Sequence, residues 1–115
     1  MGTGRKKNRF LILDANILID YIKCDRTILK LICTYVGEIY LATTVLNEIN
    51  DFDETECTEF GVILVEPELR QVVLAAEEVG RLSFQDNLCF ILAKENGWTC
   101  VTNDIPLRKK FFALA

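Results

Sequence analysis

The 115-residue chain contains no histidine. Ser-His-Asp and Cys-His nucleophile systems are therefore excluded, as is every zinc site that needs an imidazole. Polar chemistry falls to Asp, Glu, Lys, Ser, Thr, Tyr or Cys. No run of about 18 uninterrupted apolar residues is present, so no membrane-spanning helix and no membrane partner are expected. The basic opening MGTGRKKNR leads into RFLILD, whose acid breaks the apolar run too early for a signal-peptide core. The five cysteines, Cys24, Cys33, Cys57, Cys89 and Cys100, never fall in a C-x-x-C pair and mostly sit inside apolar runs. They read as reduced, buried thiols of a cytoplasmic protein. Internal repeats and low-complexity linkers are also missing.

Half of the residues are hydrophobic, enough for one compact domain spanning 1–115, with 1–8 as a flexible basic tail. The net charge of -4 gives no global attraction to nucleic acid, although the basic residues are grouped at Arg5, Lys6, Lys7 and Arg9 and again at Arg108, Lys109 and Lys110. Short apolar runs alternate with segments of helical period, which is the pattern of an α/β fold with a parallel sheet covered on both faces. Four strands are expected: Phe10 to Leu13, Ile39 to Ala42, Val62 to Val65 and Thr99 to Thr102, each suited to a buried central position. Leu69, Val72, Val73, Ala76 and Val79 keep the spacing of one helix face, with Gly80 as its cap. Another helix opens at Ser83 and stops at Asn96-Gly97. Further helices are expected from about Thr27 to Tyr35, from Thr44 toward Asn50, and after Asp104. The acidic run Asp51 to Glu59 reads as a solvated loop or frayed helix end.

Ligands of an open parallel sheet bind beyond the carboxyl ends of its strands. Asp14 directly follows the first strand, and Asp104 comes two residues after the fourth. Asp86 lies in the first turn of the helix opened by Ser83, and Glu48 about one turn into the helix after the second strand. All four acids thus project toward one rim. Each also has a structural explanation: Asp14 and Asp104 suit helix caps, Ser83-x-x-Asp86 resembles a capping arrangement, and Glu48 suits an exposed helix surface. Carboxylates gathered together repel one another unless a cation sits between them. Hard oxygen donors without imidazole or clustered thiolate favour Mg²⁺ or Mn²⁺ as that cation.

The ordered set LILDANILID, TTVLNEI, LSFQDNLCFILAKENG and VTNDIPLRK resembles the PIN domain, and especially the VapC-like ribonuclease toxins of toxin-antitoxin pairs. The resemblance spans nearly the whole chain. It implies a three-layer α/β/α sandwich with a central parallel sheet of four or five strands. It also implies Asp14, Glu48, Asp86 and Asp104 as metal ligands and catalytic residues, with Asn16, Thr102 and Asn103 orienting them or the attacking water. The sequence departs from that pattern at Ala15, where Thr or Ser is common, and at Asn87, where a small Ala is common; hydrogen bonding around the ligands is the property these departures touch.

The activity implied is metal-dependent hydrolysis of phosphodiester bonds in RNA, leaving a 5′-phosphate and a 3′-hydroxyl, by a cytoplasmic homodimer with an antitoxin protein as a further partner. Arg81, Arg108 and Lys109 are candidates for phosphate contacts, each equally suited to a solvated helix surface. Asp20 suits a helix surface. Two divalent ions would offset the formal -4. The alternative is a non-catalytic PIN-like module that binds RNA or protein. Aspartyl-phosphate phosphatases need a second acid two residues after the first, where this chain has Asn16, and a receiver domain needs an acceptor Asp where it has Glu66-Pro67.

Overall fold

A computed structural model describes residues 9–77 and 83–102 of the chain. Its four strands are β1 (Arg9–Leu13), β2 (Gly37–Ala42), β3 (Val62–Val65) and β4 (Thr99–Val101). They form one all-parallel sheet in the order β3-β2-β1-β4, with Ile12 opposite Tyr40 on one side and Cys100 on the other. Successive residues Leu11, Ile12 and Leu13 point to alternate faces, yet all three are buried. A strand covered on both sides needs a layer of helices above and below it.

The helices are α1 (Ala15–Asp25), α2 (Thr27–Tyr35), α3 (Thr43–Leu46), α4 (Glu54–Phe60), α5 (Leu69–Glu77) and α6 (Phe84–Asn96). Helix α6 packs on β1 and β4 and against α5, whereas α2 packs on β2 and α4 on β3. The result is an α/β/α sandwich around a core that includes Ile12, Leu18, Leu29, Ile39, Leu41, Leu88 and Leu92. Among the described residues, no helix is long and apolar enough to cross a membrane.

All four expected strands form, and α2 has the expected bounds. The Ser83 hydroxyl caps α6 by accepting from Asp86 N–H at 3.1 Å, and Gly97, at φ 73°, stops the helix in the left-handed conformation that a Cβ disfavours. Other expectations are corrected. Among the described residues only β1 and β2 have a strand on each side, while β3 and β4 flank them and leave Ile63 and Thr99 exposed. The helix expected from Thr44 toward Asn50 ends at Leu46. There Glu48 N–H and Ile49 N–H donate to carbonyls only three residues back, so the chain tightens into a turn.

Of the acidic run expected as a solvated loop or frayed helix end, Asp51 to Asp53 lie outside any helix, whereas Glu54 to Glu59 belong to the well-capped α4. Asp53 accepts from Glu56 N–H at 3.0 Å and caps α4, Gly61 ends it, and Cys57 and Phe60 on one face are buried, Phe60 stacked with Phe52. Helix α5 forms, but its buried residues are Gln71 and Ala75, whereas Leu69, Val73 and Leu74 stay exposed. The Gln71 amide can be buried because Glu68 N–H donates to it and its own N–H₂ donates to Glu95. Val79, Gly80 and the helix after Asp104 lie outside the described residues.

Candidate functional site

Parallel strands put all their carboxyl ends on one edge, and polar residues follow each: Asp14 after β1, Thr43 and Thr44 after β2, Glu66 after β3 and Thr102 after β4. Asp14 is the most constrained. It is 2% exposed, and its Oδ1 accepts from Ile17 N–H at 2.8 Å, capping α1. Its other oxygen, Oδ2, accepts the Thr102 hydroxyl from the end of β4. Its own N–H donates to Val101 O at 3.3 Å, continuing the β1–β4 ladder one residue beyond the strand. The carboxylate is therefore oriented from helix, strand and sheet ladder together. Each oxygen keeps a second lone pair beyond the bond it accepts.

Glu48 stands in the turn after α3 and is exposed. Its Oε2 accepts from Gln85 Nε2 at 2.9 Å, in the first turn of α6. The same Gln85 amide donates to Thr44 O at 3.3 Å and accepts from the Thr44 hydroxyl at 3.0 Å. One side chain thus ties the Glu48 turn, the end of β2 and the start of α6. Glu48 also lines a groove of about 180 Å³ with Ile19, Ile22, Lys23, Ile49, Asn50 and Asp51.

Asp86 follows Gln85 in that first turn, half-buried, where the positive end of the helix dipole favours a carboxylate. Below it lies the buried Cys89 thiol. Its pKa is raised well above the ordinary thiol value, first by its contact with the Cys100 thiol, then by burial, then by the charges of Cys100, Asp14 and Asp86. Farther along the rim, the Thr43 hydroxyl donates to Glu66 at 2.9 Å, joining the ends of β2 and β3.

Of the other expected residues, Thr102 bonds Asp14 directly, whereas Asn16 is exposed in the first turn of α1. Asp104, Asn103, Arg81, Arg108 and Lys109 lie outside the described residues. Asn87 does not join the acids: it is buried, its amide N–H₂ donates to Ala75 O at 3.4 Å, and its Oδ1 finds no partner among the described residues. Asp20 is exposed on α1. The cysteines divide: Cys57 and Cys89 are buried, Cys33 and Cys100 half-buried, and Cys24 exposed, so the expectation of buried thiols fails at Cys24. Burial, aided by neighbouring acids, pushes the Cys57 pKa up to about 11.

Sequence reasoning missed Gln85 and Thr44. The position of Gln85 beside Asp86 in the first turn of a rim-facing helix was the available signal. Hard carboxylate oxygens of this kind suit Mg²⁺ or Mn²⁺. Among the described residues no three Asp, Glu or Cys side chains come together closely enough to hold one ion, and the fourth acid, Asp104, is not among those residues. No family model, curated protein or solved structure matches the chain.

Proposed function

We propose that the protein is a metal-dependent endoribonuclease of the PIN type. The observation that carries this reading is Asp14: a carboxylate buried at the carboxyl edge of a parallel sheet and oriented by Ile17 N–H and the Thr102 hydroxyl. Asp86 lies in the first turn of α6, and Gln85, next to it, restrains Glu48. The four ordered motifs that resemble the PIN family support the same reading.

Asp14, Glu48, Asp86 and Asp104 are the donors that the resemblance implies for Mg²⁺ or Mn²⁺. Such an ion supplies a coordinated water of lowered pKa and stabilises charge on the leaving oxygen. Thr102 and Gln85 orient the carboxylates, and a group held before the ion arrives loses less freedom when it binds. Arg81, Arg108 and Lys109 contact the phosphates of an unpaired RNA strand. Assignment as the toxin of a toxin-antitoxin pair follows from the same resemblance, and copurification with a small basic protein tests it separately. For the activity itself, the test is cleavage of several single-stranded RNAs in Mn²⁺ by the wild type and by Asp14→Asn. Loss of cleavage in a variant that melts like the wild type supports the assignment; equal cleavage removes Asp14 from the chemistry.

A further inference from the structure

We propose that Cys89 and Cys100 are a reversible dithiol-disulfide pair, oxidised by peroxide, that bonds α6 to β4. Their sulfurs, on a helix and a strand packed against each other, lie 3.1 Å apart. A disulfide needs about 2.05 Å, so about 1 Å of further approach completes the bond. The contact joins residues eleven apart in sequence and exists only because α6 lies across β1 and β4. The other cysteines sit differently: Cys24 is exposed on α1, Cys33 donates to Gly61 O at 3.4 Å, and Cys57 is buried under α4.

Accessibility assigns the order of events. Cys100 is half-buried and is the sulfur that meets the oxidant, while Cys89 is only 2% exposed and resolves the product. The Cys100 thiolate attacks one oxygen of hydrogen peroxide and breaks the O–O bond; Cys100 becomes a sulfenic acid, and the departing hydroxide takes a proton to become water. The Cys89 sulfur then attacks the sulfenic sulfur, breaking its S–O bond and forming the S–S bond. The Cys89 proton and the displaced hydroxide leave as a second water. Two thiols are oxidised, one peroxide is reduced to two waters, and a small dithiol reverses the change by exchange.

The bond would join the two elements that also reach the carboxyl edge, since β4 leads to Thr102 and α6 begins with Gln85 and Asp86. The pair itself stands independently of the nuclease reading. The test treats the full chain with hydrogen peroxide, alkylates remaining thiols after denaturation, and maps peptides without reductant. The expected result is a Cys89–Cys100 linked peptide, lost on treatment with dithiothreitol. Recovery of both residues alkylated, while Cys24 is oxidised, overturns the proposal. In a folded Cys89→Ser variant a sulfenic-acid reagent should label Cys100; a Cys100 that stays unlabelled after peroxide overturns it as well.

Discussion

Asp14 gives one oxygen to Ile17 N–H and the other to the Thr102 hydroxyl, so its substitutions divide by which bond survives. Asparagine is as good an N-cap as aspartate. Its oxygen can keep the Ile17 bond while its N–H₂ donates to a rotated Thr102 hydroxyl, so Asp14→Asn should melt within a few degrees of the wild type. Asp14→Ala removes the cap and leaves a buried N–H without a partner, at a cost of about 1–3 kcal/mol. Urea unfolding of the two variants checks this; equal destabilisation would mean that the cap contributes nothing. Gln85→Ala tests positioning: Glu48 and the Thr44 turn lose their shared partner, and metal affinity should fall by about tenfold or more while the fold persists. Calorimetric Mn²⁺ titration reads that loss. Asp14 is legible in the sequence because strand ends mark the binding edge of a parallel sheet, and Thr102 through the resemblance to the PIN motif. The bond between Gln85 and Thr44 is not, because it spans 41 residues, and the position of Gln85 beside Asp86 gives no hint of its partner.

At the scale of elements, α6 is legible because Ser83 and Gly97 mark both of its ends. Helix α4 has equally good ends in Asp53 and Gly61, but its buried face amounts to Cys57 and Phe60 among acids, too little apolar period to separate it from a loop. Arg26 donates to Asp51 O at 3.1 Å and to Glu56, a tertiary anchor that a window of neighbouring residues cannot reveal. Helix α5 has the opposite problem. Its apolar spacing identifies a helix correctly, yet polar bonds decide which face turns inward. Arg70 grips both oxygens of Glu95 at 2.8 and 2.9 Å, and Gln71 donates to the same carboxylate.

That grip, with Arg70 as the leading cause, lowers the Glu95 pKa from 4.5 to about 2. A carboxylate whose pKa is depressed by folding contributes stability above its unfolded pKa and loses it as pH falls through the folded value. The stability difference between wild type and Glu95→Gln should therefore be full above about pH 4.5 and fade as pH drops toward 2. The pair is exposed, so salt should shrink the difference. Urea midpoints across that range, at low and high salt, check it; a difference that grows on acidification would contradict the assignment.

For the whole molecule, the strand composition anticipates the parallel sheet, and the sheet direction in turn gathers the polar residues on one edge. Strand order was harder to read, since β1 lies between β2 and β4 through contacts distant in sequence. A ligand that binds only the folded state stabilises it by mass action. Mn²⁺ at about a hundred times its dissociation constant should add ~2.7 kcal/mol, with Asp14→Asn gaining much less; thermal melts with and without the ion measure this. Under the proposed function, such an ion would offset the net charge of -4 where this edge meets a polyanion. The central claim is tested most directly by stripping the protein of metal, mixing it with a set of unstructured RNAs, adding Mg²⁺ or Mn²⁺, and analysing the ends of any fragments. Cleavage that begins only with the ion and leaves 5′-phosphate and 3′-hydroxyl ends is the predicted result. Intact RNA in the presence of folded, metal-supplied protein would contradict the account and favour a binding module instead.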